Sequence, residues 1–130
     1  MTDTTNAITV REFREAEGVE DWRVLAEGAC AFFRTSSFAA SAELVRAIAE
    51  AIDDAGHPPD VDIRSGGVTV RLITVTDDHY GMSQRDVELA RQISAAAREL
   101  GVSVDPTAVQ EVQFTIDALV HADVMPFWAP

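Results

Sequence analysis

Two consecutive prolines, Pro58 and Pro59, separate a helical pattern from an extended one in the middle of the chain. Before them, over residues 38–55, apolar side chains repeat at spacings of three and four, which predicts an amphipathic helix of about five turns. Gly56 is a favourable residue after a helix end, and neither proline can continue a helix because each lacks a backbone N–H. Beyond the prolines, apolar and polar residues alternate, as they do in half-buried strands. A chain with this pattern must combine helices with a sheet.

Capping residues and apolar stripes define the predicted helices. Ser36 and Ser37 offer an N-cap to the helix over 38–55. Its core-facing stripe is expected to consist of Phe38, Ala42, Val45, Ile48, Ala49 and Ile52. Ser83 and Asp86 have the spacing of a capping box, which predicts a helix from Gln84 to Leu100. The stripe of that helix is Val87, Ala90, Ile93, Ala97 and Leu100. A short helix is expected from Thr9 to Ala16.

The predicted strands lie on both sides of the long helix. They are Trp22–Ala26, Ala29–Thr35, Val61–Arg64 and Val68–Val75. Glu27-Gly28 and Ser65-Gly66-Gly67 supply turns between neighbouring strands, and the polar segment Thr76–Met82 is expected to be a loop. We therefore predict an α+β fold with two layers, in which helices pack on one face of an antiparallel sheet of about four strands.

Charge and composition exclude several classes of function. The 130 residues include 22 acidic and 10 basic side chains, for a net charge of −12. Such a surface repels phosphate backbones and anionic lipids, so neither nucleic-acid nor membrane binding is expected. Cys30 is the one cysteine, which excludes an intrachain disulfide, and its apolar neighbours predict that it is buried. No signal peptide or apolar run of about 18–20 residues is visible, which favours a cytoplasmic protein.

The stretch from Asp53 to Asp86 resembles the pterin-4a-carbinolamine dehydratases, also called 4a-hydroxytetrahydrobiopterin dehydratases. The motif of that family is an acidic residue, three spacers, His-His-Pro, a strand, a third histidine, and Gly-Gly-Leu-Thr before Arg-Asp. Asp53, His57 and Pro59 match this motif, while Pro58 stands where the family has its second histidine. The segment Gly81-Met82-Ser83-Gln84-Arg85-Asp86 matches the end of the motif.

The position of the third histidine depends on the direction of counting. Eighteen residues after His57 stands Val75, which cannot act as an acid or base. Counting back from Gly81 places Asp77 there instead, because this chain is two residues longer in the loop. Asp77 or His79 could substitute for the missing group. Asp77 would need its pKa raised by burial to act as an acid near neutral pH.

The resemblance implies a reaction and a set of site residues. The family removes water from a 4a-hydroxytetrahydropterin: a base takes a proton from a ring nitrogen while an acid protonates the departing hydroxyl. Histidine suits both roles because its pKa lies near neutrality. The resemblance implies His57 as a catalytic residue, with His79 or Asp77 as the substitute for the missing histidine. The predicted substrate-binding residues are Asp53, Pro59, Asp60 and Tyr80, although Tyr80 replaces a glycine of the family loop and its alternative role is to cover the pocket. The alternative for His57 is an exposed histidine at a helix end, and for Asp53 a solvated helix face.

Neither a cofactor nor a metal site is expected. Asp77, Asp78 and His79 are contiguous and point in different directions, so they lack the spacing of metal ligands. The implied ligand is a pterin-like small molecule, and the family's assembly implies a homodimer or homotetramer. Two alternatives to a dehydratase with a reduced site remain: a non-catalytic dimerisation or assembly module of the same fold, and a relative recruited to a different small molecule.

The last 25 residues differ in character from the rest. We predict one domain over residues 1–105 and a C-terminal strand and tail over residues 106–130. Val112, Phe114 and Ile116 alternate with polar residues, which predicts a strand. The final Met-Pro-Phe-Trp-Ala-Pro weakly resembles the start of a vicinal-oxygen-chelate (glyoxalase-like) module. The pair Phe127-Trp128 is expected to be buried against the domain or against another subunit.

Overall fold

The computed structural model describes residues 7–26, 28–52 and 58–108 of the chain. The helices in this part are α1 (Val10–Glu15), α2 (Phe38–Ala51) and α3 (Gln84–Glu99). The strands are β1 (Arg23–Leu25), β2 (Gly28–Arg34), β3 (Asp60–Arg64), β4 (Gly67–Leu72), β5 (Thr74–Val75), β6 (Tyr80–Gly81) and β7 (Ser103–Val104). The predicted α+β class is confirmed.

The main sheet is antiparallel and its strand order is β1-β2-β4-β3, with β7 also paired to β2. Both predicted hairpins, β1–β2 and β3–β4, are present. Gly67 in the second hairpin has φ of +157°, and a Cβ there would clash with the carbonyl oxygen of Phe33. Only glycine therefore allows β4 to approach β2 this closely. β5 and β6 form a separate two-stranded sheet.

The helices cover one face of the main sheet. Alternate residues of β2 and β4 point into the core beneath them: Ala29, Ala31, Phe33, Val68, Val70 and Leu72. Trp22 anchors the core. It meets Phe33 edge-on at 6.1 Å between ring centroids and donates from Nε1 to Ser94 Oγ at 2.9 Å. Cys30 is buried, as predicted, although it lies on the other face of the sheet.

The predictions for α2 were wrong in length and partly wrong in orientation. The helix ends at Ala51 instead of Ala55, because Ile52 has extended backbone angles. Its fully buried residues are Ser41, Leu44 and Ile48, whereas Phe38 is 69% exposed. Alanines at several predicted stripe positions contribute little apolar area, so the larger Leu44 and Ile48 determine which side faces the core.

The region around α3 agrees more closely with the sequence. The capping box of Ser83 and Asp86 is present, and the helix ends one residue before Leu100, which is 44% exposed. The predicted loop over Thr76–Met82 was wrong in part, because Tyr80–Gly81 pairs with Thr74–Val75 as the β5–β6 hairpin. The predicted C-terminal strand and the Phe127-Trp128 pair lie outside the described residues. Within the described residues, no helix has the length and apolar character needed to cross a membrane.

Candidate active site

Two of the site residues predicted from the sequence, Pro59 and Asp60, lie where β3 begins. Asp60, the first residue of β3, is paired with Arg71 near the end of β4. The segment that enters β3 through Pro58 and Pro59 therefore lies at the same end of the sheet as the segment that leaves β4 toward β5. Asp53 and His57, which precede these prolines, lie outside the described residues.

The predicted binding residues at the start of β3 form few contacts. Pro59 is half-buried. The side chain of Asp60 is 65% exposed, and its Oδ2 lies 3.9 Å from a guanidinium nitrogen of Arg71. A partly exposed pair at this distance contributes little to stability. Because its side chain is mostly exposed, the Asp60 carboxylate is accessible to a ligand.

The β5–β6 hairpin presents the other predicted residues. Its turn is closed by hydrogen bonds between Thr76 and His79, from Thr76 N to His79 O at 2.8 Å and from His79 N to Thr76 O at 3.4 Å. Asp77 and Asp78 stand exposed on this turn. Tyr80, paired across the hairpin with Val75, is 58% exposed, so its ring does not fill a buried pocket. We refer to residues 75–80 as the hairpin tip.

The half-buried ring of His79 is held in one orientation by a backbone acceptor. Its Nε2 lies 2.8 Å from the carbonyl oxygen of Met82, which also accepts from Ile8 N at 3.1 Å. A carbonyl oxygen can only accept, so Nε2 carries a hydrogen. In the neutral ring the basic lone pair is therefore on Nδ1. A Cβ at Gly81 would lie 3.4 Å from Cε1 of His79, which shows how closely the ring packs on that backbone.

Thr74, Ser83 and Asp86 form a buried hydrogen-bonded group that we call the hairpin base. Asp86 Oδ2 accepts from Thr74 Oγ1 at 2.8 Å and from Ser83 N at 2.9 Å. The Ser83 hydroxyl lies 2.6 Å from Thr74 Oγ1 and 3.3 Å from the same carboxylate oxygen. The group joins β5, the residue after Met82 and the first turn of α3, so it fixes both ends of the hairpin.

Burial determines the protonation behaviour of Asp86. The residue is 1% exposed, and this desolvation raises the pKa of its carboxyl group. The hydrogen bonds from Thr74 and Ser83 and the charge of Arg85 act in the opposite direction but do not cancel the shift. The sequence identified Ser83 and Asp86 through the capping box, but nothing in its pattern indicated Thr74 as their partner.

A small cavity of about 100 Å³ lies between the end of α2 and the start of α3. It is lined by Ala51, Arg85, Glu88, Leu89 and Gln92. Its polar residues come from α3 at positions i, i+3 and i+7, a spacing that places them on one side of the helix. The apolar stripe that predicted α3 does not indicate this polar one. Within the described ranges, no group of three His, Cys, Asp or Glu side chains is arranged to hold a metal ion.

Comparisons with known proteins agree with the sequence pattern. A family model described as pterin 4 alpha carbinolamine dehydratase matches residues 5–96. A protein of Nocardia farcinica named "Putative pterin-4-alpha-carbinolamine dehydratase" is 36% identical over 96 residues, which is 73% of this chain and 99% of the relative. A protein of the same name from Acidobacterium capsulatum is 45% identical over 60 residues, which is 46% of this chain and 63% of the relative.

A solved structure supports the fold. The crystal structure of a transcriptional coactivator/pterin dehydratase from Brucella melitensis matches with a TM-score of 0.61 at 23% sequence identity, covering 71% of this chain and 99% of that one. At this identity the likeness concerns the fold alone. The family match covers most of the chain, and the Nocardia relative aligns over nearly its whole length. The chain belongs to the pterin 4 alpha carbinolamine dehydratase family.

Proposed function

We propose that this chain dehydrates a 4a-hydroxytetrahydropterin with a reduced site in which His57 and His79 share the acid and base roles. In this reaction the C4a–O bond breaks, the hydroxyl leaves as water after taking a proton from the acid, and a ring N–H loses its proton to the base. The electron pair of that N–H bond forms the new C=N bond. Two groups that exchange protons near neutral pH are required, and histidine is the side chain best suited to both tasks.

The fixed ring of His79 is the observation that carries the proposal. Its Nε2 is bonded to the Met82 carbonyl oxygen, so neutral His79 offers Nδ1 as a base. We assign His79 to the removal of the ring-nitrogen proton. His57, as an imidazolium, is then assigned to protonate the departing hydroxyl.

The environments of the two substitute candidates favour His79 over Asp77. An aspartate would have to be buried to act as an acid near neutral pH, and Asp77 is exposed on the hairpin turn. His79 is half-buried and oriented by a hydrogen bond, which are features that a proton-transfer group requires. Tyr80 and Asp60 are the exposed residues that we expect to contact the pterin.

The test is the dehydration rate of a 4a-hydroxytetrahydropterin with wild type, His57→Ala and His79→Gln at matched concentrations. Glutamine retains an N–H that can bond the Met82 carbonyl but has no basic nitrogen. Each variant should lose about 100-fold or more of the catalysed rate, as is usual when a general acid or base is removed. Asp78→Asn, a neighbour on the same turn, serves as the control and should keep the wild-type rate within about twofold.

Two outcomes would redirect the proposal. A wild-type rate equal to the spontaneous rate would exclude the dehydratase activity and leave the assembly module or a different small-molecule substrate. A large loss in Asp77→Asn without one in His79→Gln would assign the substitute role to Asp77. The expected homodimer or homotetramer and the cytoplasmic location remain predictions, which sedimentation and cell fractionation can check.

A further inference from the structure

The sheet face opposite the helices bears a second, smaller apolar cluster. Cys30 and Phe32 are 3% and 9% exposed, although they point away from the helical layer. In the part of the chain that the structure describes, the partly buried apolar residues packed against them are Leu25 and Ala108. Arg34 also lies over the Phe32 ring, with its guanidinium carbon 5.5 Å from the ring centroid. This face therefore has a small apolar centre against which a further apolar segment can pack.

The chain after β7 is anchored at this face. Asp105 N donates to the carbonyl oxygen of Phe32 at 2.8 Å, and the Asp105 carboxylate accepts two hydrogen bonds from Arg34, at 2.7 and 3.0 Å. Asp105 also caps the turn that follows, since it accepts from Thr107 Oγ1 at 2.7 Å. Ala108, the last described residue, contacts the Cys30–Phe32 cluster. The remaining 22 residues therefore begin on this face.

The face opposite the helices carries both signs of charge, because three aspartates, Asp60, Asp62 and Asp105, are paired with arginines on it. Residues paired directly across an antiparallel sheet point to the same side, so Arg23 and Arg71, both opposite Cys30, share its face. Arg34 and Arg64, both opposite Gly67, share it as well. Four of the 10 basic residues of a chain with net charge −12 thus lie on one side of the sheet. Residues 109–130 contain three acidic side chains and no Lys or Arg.

The segment also has a suitable length and pattern. Four strands about 4.8 Å apart span about 14 Å, while eight extended residues reach about 26 Å. Residues 109–116 can therefore cross the whole sheet. Val112, Phe114 and Ile116 alternate with polar residues and would present one apolar side. The family match ends at residue 96, so this segment lies outside what the relatives share.

We propose that residues 109–130 dock on the outer face of their own sheet, with Val112, Phe114 and Ile116 over the Cys30–Phe32 cluster. The inference does not rest on the dehydratase proposal, because its tests measure the cover of Cys30 and require no activity. Asp60 lies on the same face, beside Arg71.

Reactivity of the single cysteine tests this docking in the full chain. The rate at which Cys30 reacts with a soluble disulfide reagent at a pH of about 8 should be low in wild type, because the segment covers the thiol. Phe114→Asp should raise this rate at least about tenfold, whereas Thr115→Asp, which adds the same charge in the other register, should stay within about twofold. Equal rates in the two variants would overturn the proposal. A circular-dichroism melt shows whether each variant is folded.

Disulfide scanning identifies the occupant directly. At least one of three variants, oxidised at low protein concentration, should form an intramolecular disulfide with Cys30. These variants are Val112→Cys, Phe114→Cys and Ile116→Cys. Gln113→Cys and Thr115→Cys are the controls of the opposite register and should give little. A disulfide-linked dimer would overturn docking within one chain and assign the face to the segment of a second copy. Equal yields in both registers, or no disulfide at any position, would also overturn it.

Discussion

The base and the tip of the β5–β6 hairpin are a few residues apart, yet their environments are opposite. At the base, Ser83 and Asp86 are almost completely inaccessible, and three polar side chains share hydrogen bonds of 2.6–2.9 Å. At the tip, Tyr80 is 58% and Val75 is 42% exposed. Buried and exposed side chains are therefore divided along one short hairpin. The base fixes the loop. Substitutions at the tip should therefore lower the free energy of unfolding less than substitutions at the base.

Removal of the Asp86 carboxylate should have the largest effect. Asp86→Ala leaves the Ser83 N–H and the Thr74 hydroxyl buried without their acceptor, and it removes a negative charge from the first turn of α3. We expect the free energy of unfolding to fall by about 3 kcal/mol in urea titration. Glu88→Ala, an exposed acidic residue on the same helix, is the control and should change it by less than about 1 kcal/mol. Similar losses of unfolding free energy in both variants would show that the buried hydrogen bonds of the base contribute no more than an exposed carboxylate.

Deletion of one hydroxyl from the base should have a smaller effect. Thr74→Val keeps the side-chain shape and removes one donor to Asp86, so we expect a loss of about 1 kcal/mol. Thr76→Val provides the matched change at the tip, where the hydroxyl accepts only a long 3.3 Å bond from Asp78 N. Its effect should be below about 0.5 kcal/mol. The comparison between base and tip fails if the order is reversed.

The pH dependence of stability sharpens the contrast further. Burial raises the pKa of Asp86 in the folded chain above its unfolded value of about 3.9. Its contribution to stability is therefore fully present below that unfolded value and is lost as the pH rises through the folded pKa. The difference in unfolding free energy between wild type and Asp86→Asn should decrease as the pH rises from about 4 toward 7. An increase over the same range would show that the sign of the shift is wrong.

A change at the tip should have the smallest effect on stability. Tyr80→Ala removes a large but exposed ring, so we expect the free energy of unfolding to change by less than about 0.5 kcal/mol. If the ring contacts the pterin as proposed, KM rises while kcat stays nearly constant. A melting temperature equal to that of wild type, combined with unchanged KM, would remove Tyr80 from the site.

The sequence predicted the parts of the fold that depend on local chemistry. Alternation located β4 and the capping box located the start of α3, because caps and pleats follow directly from residue type. The orientation of α2 depends instead on which side chains fill the core. Leu44, outside the predicted stripe, is buried there, whereas Phe38 is exposed. The two-residue strands β5, β6 and β7 are too short to show a period.

The residues of the candidate site stay predictions, because they were taken from the family motif. The family motif directed attention to His57 and to the loop that bears Asp77, His79 and Tyr80, and the sheet pairing brings that loop to the end of the sheet where Pro59 enters. The partner of His79 could not be predicted, because the acceptor is the backbone of Met82 and any residue has a carbonyl.

The bond between His79 and the Met82 carbonyl has a consequence for the direction of proton movement. A histidine with both ring nitrogens free can take a proton at one and release it from the other, and so relay protons between opposite sides. Here the Met82 oxygen already accepts from both His79 Nε2 and Ile8 N, so the Nε2 hydrogen has no path onward. Any proton that His79 receives at Nδ1 must leave from Nδ1. His79 can thus exchange protons only through Nδ1. If a bound molecule must gain a proton at one atom and lose one at another, a second group has to carry out the other transfer.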